Sequence, residues 1–194
     1  MKFNRLFSLF GIAAMLFFLA SCAGEGAQAG QEQDGANGAA STSAEPVDPV
    51  AWNDLQSLIP AKAAGLKKTN ADDDKSSLGN LGFSHALGIY EEGDKKVEIQ
   101  IIDSGNRSVI LTTLAPWRDM TSLYVQDDAG TGYEKYVTIE ENPGYEAFSK
   151  ADNTAKLNTL VKGRFVVMLT GKNIPLDDLY KVMEDLDLDK MASM

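Results

Sequence analysis

From Asp48 to the C-terminus the chain alternates between helical and strand periodicity. Trp52, Leu55 and Ile59 recur near helical spacing, with Asp48 suited to cap the segment, Pro49 to its first position and Pro60 to its end. Leu58-Ile59-Pro60 and then Gly65-Leu66 lead towards a first strand. Val97, Ile99 and Ile101 alternate with Glu98 and Gln100, as expected of a sheet with one face buried and the other wet. Before them, Phe83, His85, Leu87 and Ile89 alternate with Ser84, Ala86 and Gly88, and the stretch from Tyr90 to Lys95 supplies a turn, so the two runs predict an antiparallel hairpin. Ile110, Leu114 and Trp117 return to helical spacing, and Pro116 and several threonines make this segment short and irregular.

The second half adds four strands. Tyr133, Lys135, Val137 and Ile139 alternate with Glu134, Tyr136 and Thr138, and Gly144 to Lys150 follows an Asn142-Pro143-Gly144 turn. Leu157 to Val161 and Arg164 to Thr170 are separated by Lys162-Gly163, a loop suited to a tight hairpin. Phe165-Val166-Val167-Met168-Leu169 is apolar on both faces, which predicts a central strand covered on both sides. A closing helix has Asn173 as cap, Pro175 in its first turn, Asp177 and Asp178 near its positive end, and Leu176, Leu179, Met183 and Leu186 along one face. The predicted class is α+β: a mainly antiparallel sheet with an N-terminal short helix, a middle helix and a C-terminal helix packed on it.

Upstream the pattern is of another kind. Lys2 and Arg5 precede an apolar run from Leu6 to Leu19 broken only by Ser8, followed at once by small residues. About 14 apolar residues fall short of the roughly 20 that span a bilayer as a helix. The run therefore predicts a cleaved export leader over residues 1–21. Leu19-Ala20-Ser21-Cys22 resembles the lipobox of bacterial lipoproteins, a large aliphatic and two small residues before an obligatory cysteine. The resemblance implies that Cys22 receives a diacylglycerol on sulfur and becomes the first residue of the mature chain, the thiolate being the readily alkylated group. Each buried methylene of an acyl chain contributes about 0.8 kcal/mol, so two or more chains anchor stably. Ala23 in place of Asp resembles the outer-membrane sorting class, facing the periplasm.

After Cys22, residues 23–47 are dominated by Ala, Gly, Gln, Ser, Asn, Asp and Glu, with no aromatic residue and Val47 as the only branched aliphatic, a composition that cannot bury enough apolar surface to order itself. They predict a flexible tether with a root-mean-square span of about 25 to 30 Å. Residues 48–194 form the globular part, long enough to build one core without disulfide or metal. Loss of the leader removes Lys2 and Arg5 and no acid, taking the formal charge from −10 to −12. Such a domain gains nothing from anionic headgroups, and nucleic acid is excluded as a natural partner.

One cysteine and one histidine rule out a zinc site of four such ligands and any disulfide framework, and no cofactor or metal is expected. His85 is the only imidazole, but its neighbour Ser84 should point to the opposite sheet face. Asp72-Asp73-Asp74 and the set Asp185, Asp187, Asp189 have acidic spacing without the glycine and glutamate of a calcium loop, and fit solvated loop and helix-end charge. Gly130-Thr131-Gly132 lacks the Lys-Ser/Thr of a phosphate loop. Trp52, Trp117, Tyr124, Tyr133, Tyr136 and Tyr145 fit core or sheet-face packing before a pocket lining.

The order of elements, with a Leu58-Ile59-Pro60 start, paired central strands, a strand Arg164-Phe165-Val166-Val167-Met168-Leu169 and a C-terminal helix, resembles the PsbP/DcrB-like group of small envelope and thylakoid-lumen domains over residues 50–190. That resemblance implies a non-enzymatic accessory domain. The leading expectation is thus a membrane-anchored envelope lipoprotein whose domain binds a protein partner or ligand. Two others stand beside it: an envelope hydrolase using paired carboxylates or His85, and a carrier with an apolar cavity between sheet and helices.

Overall fold

The computed structural model describes residues 44–69, 82–120, 122, 124–126 and 130–194. The expected export leader, Cys22, most of the expected tether, Asp72-Asp73-Asp74 and Asp127-Asp128 lie outside these residues. Ser41–Met194 forms one compact unit. A short helix α1 (Trp52–Gln56) is followed by a two-residue hairpin, β1 (Lys62–Ala63) and β2 (Leu66–Lys67). The long hairpin β3 (Ser84–Glu92) and β4 (Lys95–Asp103) leads to α2 (Ser108–Leu114) and a single 3-10 turn, Pro116–Asp119. Five strands meander next: β5 (Tyr124–Gln126), β6 (Gly132–Ile139), β7 (Asn142–Ser149), β8 (Thr154–Val161) and β9 (Phe165–Lys172). Helices α3 (Leu176–Glu184) and α4 (Leu188–Ala192) close the chain.

Seven strands make one antiparallel sheet in the order β3-β4-β9-β8-β7-β6-β5. The fold is α+β, as the alternation of periods predicts. The passage through α2 carries the chain from β4 to the far edge, and the meander returns it so that β9 pairs with β4. One sheet face carries Tyr90, Val97, Ile99, Ile101, Leu157, Phe165, Val167 and Leu169 and packs against Leu55 of α1, Leu179 and Met183 of α3 and Met191 of α4. On the other face Ile102, Leu160 and Val166 meet Leu111, Ala115 and Trp117 from α2 and the turn after it. Phe165, Val166, Val167 and Leu169 are buried on both sides of β9, which explains a strand without alternation.

Several local expectations are revised. In β3 the larger residues at odd positions do not form the buried set; Ala86, Gly88 and Tyr90 do. The reason is the close approach of the chain after α1: a Cβ at Gly88 would lie 2.5 Å from Ile59 Cγ2 and 2.8 Å from the Tyr90 hydroxyl. The first helix starts at Trp52 after Ala51 and has no side-chain cap. Asp48 stays outside it because its carbonyl accepts from Arg164 Nη2 (3.5 Å) while the Val50 N–H donates to Asp103 (2.7 Å). The turn before β7 is Glu140-Glu141, both at positive φ, and Asn142-Pro143-Gly144 belongs to the strand. Pro143 precedes the pairing with β8, which begins at Gly144, so its missing N–H breaks no ladder bond.

The β8–β9 connection is three residues long, because Arg164 leaves the ladder and Val161 pairs with Phe165. Asn173 does not cap α3; Pro175 holds that position. Asn173, at φ 55°, instead donates from Nδ2 to the Asp94 carbonyl (2.8 Å) and accepts from Asn153 Nδ2 (2.9 Å). The closing helix ends at Glu184, with Leu186 buried in the bend that precedes α4.

Candidate functional site

Two fully buried carboxylates organise the interior, and neither was singled out by sequence reasoning. Asp103, at the end of β4, takes a bidentate ion pair from Arg164, 2.8 Å from Nε to Oδ1 and 2.6 Å from Nη2 to Oδ2. Its remaining lone pairs accept the N–H groups of Gly105 (2.9 Å) and Val50 (2.7 Å). The same corner receives the start of the domain: Val47 donates its N–H to the Gly105 carbonyl (2.9 Å), its own carbonyl accepts from Arg107 Nη1 (2.9 Å), and Asn106 Nδ2 donates to the Glu45 carbonyl (3.0 Å). Residues 45–50 are therefore strapped along this end of the sheet.

Glu146, on β7, is 1% exposed. Its Oε1 accepts from the Tyr133 hydroxyl (2.7 Å) and from Lys135 Nζ (2.9 Å), and its Oε2 accepts from the Tyr180 hydroxyl (2.5 Å). Burial pushes this carboxyl up, but the hydrogen bonds from Tyr180, Tyr133 and Lys135 outweigh it and hold the carboxyl below its ordinary value. Burial together with the neighbouring carboxylate raises both tyrosine hydroxyls. The cluster ties α3 to β6 and β7. A charged residue at an inward position of a strand, between Gly144 and Phe148, was the signal available in the sequence.

A groove of about 380 Å³ opens over the ends of β6, β7 and β8. Tyr145, Phe148, Glu134, Ala147, Asp152 and Lys156 are among its lining residues. Tyr145 lies nearly parallel to the buried Trp117, with ring centroids 6.5 Å apart and 17° between planes. Burial raises the Tyr145 hydroxyl, as does its hydrogen bond to the Glu134 carboxylate. The Ser149 hydroxyl, hydrogen-bonded to Asp152, holds that carboxyl below its ordinary value.

The sequence candidates are dispersed. Register places Ser84 opposite Asp103 and His85 opposite Ile102, on opposite faces as expected. Asp187 caps α4 by accepting the Lys190 N–H (2.8 Å), and Asp185 and Asp189 are exposed around it. Among the described residues no group of three or more His, Cys, Asp or Glu is placed to hold a metal ion. Trp117 is core, Tyr133 and Tyr145 line the groove, Trp52 and Tyr136 are half-buried and Tyr124 is exposed at the sheet edge. A scan against protein-family models and searches of curated proteins and of solved structures return no match to this chain. Fold and site together define the class: an α+β domain built on one antiparallel sheet, with a polar and aromatic groove at one end.

Proposed function

We propose that the protein is a lipoprotein of the cell envelope, held at a membrane through acyl chains on Cys22, with the outer membrane facing the periplasm as its site, and that its α+β domain binds a partner or ligand without performing chemistry. The observation that carries this reading is Leu19-Ala20-Ser21-Cys22 directly after an apolar run, with the chain's one cysteine at the position that lipidation requires. Its interior supports the binding role. The two fully buried carboxylates, Asp103 and Glu146, are engaged by four and three internal donors respectively, which fits a structural role for both. No helix among the described residues is long and apolar enough to cross a membrane.

The test is mass spectrometry of the N-terminal peptide from protein expressed in a bacterium, beside fractionation of the wild type and Cys22→Ala. The expected result is a mature chain that starts at Cys22 with the added mass of acyl chains, and loss of that species in the variant. An unmodified thiol in the wild type overturns the reading.

A further inference from the structure

The groove over the ends of β6, β7 and β8 carries a more specific reading, which rests on the domain being a binding module but not on the lipid. We infer that it takes a neutral, hydroxyl-rich ligand: a segment of a saccharide chain. Three features point there. Its charged lining is of mixed sign, Glu134 and Asp152 against Lys156, so no strongly charged ligand is matched. A sugar hydroxyl both donates and accepts, and one ring can give hydrogen bonds to a carboxylate and take one from an ammonium without burying unpaired charge. Tyr145 supplies aromatic surface beside these groups, and the electron-rich face of its ring suits the C–H face of a sugar. At about 380 Å³ the groove lies at the small end of the range for ligand sites, roughly 300 to 1,000 Å³, as befits a short segment of a longer chain.

The walls are built rather than incidental. Lys150 donates its N–H to the Thr131 carbonyl (2.7 Å), closing one rim. The neighbouring turn is braced by the Asn173 N–H to the Asn153 carbonyl (2.9 Å) and by the side-chain amide ladder from Asn153 through Asn173 to Asp94. Trp117 backs Tyr145 from the core. A site held open in this way loses little order when it is filled. The groove also lies at the end of the sheet where Gly132, Ser149, Thr154 and Lys172 form one register row, opposite the end where Asp103 receives the N-terminal strap. A long polymer seated there does not meet the point where the chain enters the domain.

The experiment is a titration of the isotope-labelled full chain in phosphocholine micelles, followed by amide NMR, with chitotetraose as probe and the zwitterion glycylphenylalanine as the competing arm. Chitotetraose should bind and move resonances of Tyr145, Ala147, Phe148 and Lys156, while the zwitterion should bind at least ten-fold more weakly. Ala147→Trp fills the groove and should abolish binding with the amide dispersion retained. Lys156→Glu changes an exposed position and should weaken binding about ten-fold, the equivalent of one charge-assisted hydrogen bond, which makes the test independent of any folding defect in the first variant. No shifts from the tetrasaccharide, shifts outside the groove, unchanged affinity in Lys156→Glu, or a preference for the zwitterion each overturn the inference. Absence of lipid on Cys22 would leave this titration untouched, so the two readings fail separately.

Discussion

At the scale of single residues, stability rests on how fully each buried charge is paired. Glu146 is held below its ordinary value in the folded protein, so its contribution is present above the unfolded carboxylate value near 4.5 and is lost as pH falls through the lower folded value. Glu146→Gln lacks this dependence. It should be less stable than wild type by about 1.5 to 3 kcal/mol at pH 7, the range for hydrogen bonds to a charged group, with the gap narrowing as pH falls below the unfolded carboxylate value. Urea denaturation at a series of pH values measures it, and a constant gap would show that the charge is immaterial. Asp103→Ala removes one partner of a buried ion pair and strands Arg164 and two backbone donors, so a loss of about 3 to 5 kcal/mol is expected. Faster amide exchange at Val50 should accompany that loss, because its N–H donates to the deleted carboxylate.

At the scale of elements, close approach decides which face of a strand is buried. Gly88 lies where Ile59 and the Tyr90 hydroxyl leave no room for a side chain, and Gly88→Ala should destabilise by about 1 to 3 kcal/mol through overpacking, read from the urea midpoint. The turn between β6 and β7 offers the reverse case. Glu140 and Glu141 sit at φ 47° and 66°, a region that penalises residues with a Cβ and suits Asn-Gly. Replacing the pair by Asn-Gly should stabilise the domain by about 1 kcal/mol, and an unchanged or lower midpoint would contradict that account. These positions also mark the limit of pattern reading. The alternation in β3 was visible, but which half of it faces inward depended on Ile59, a residue remote in sequence. The Asn-Pro-Gly signal before β7 was stronger than the Glu-Glu that makes the turn, and pairing along the whole of β6 overrode it.

At the scale of the whole molecule, attachment and fold separate. On the proposed lipoprotein reading, loss of the basic leader leaves a formal charge of −12, so lipid rather than charge should hold the chain at a membrane. Washing membranes with 1 M salt, where charge interactions are screened within about 3 Å, should leave the wild type bound, whereas detergent should release it. Release by salt alone would argue for a peripheral, electrostatic association. Within the domain, the strap of residues 45–50 fixes where the chain enters the sheet, and it does so through backbone groups and Asp103. Composition could not reveal that strap, because a carbonyl or an N–H has the same bonding capacity whatever side chain it carries.

The amino-acid order by itself determined the main helices and strands, though not β5 or α4, together with the doubly buried strand β9 and the α+β class, because hydrophobic periodicity is a local property that a window of about ten residues displays. It also determined the motif at Cys22, which needs only adjacent residues. The pairing of Asp103 with Arg164, the convergence of Tyr133, Lys135 and Tyr180 on Glu146, and the groove beside Tyr145 were decided only in three dimensions. The separation along the chain is 61 residues for Asp103 and Arg164 and 34 for Glu146 and Tyr180. They meet because the β9 strand returns to β4 and the meander lays β6, β7 and β8 side by side, and no local pattern encodes that return.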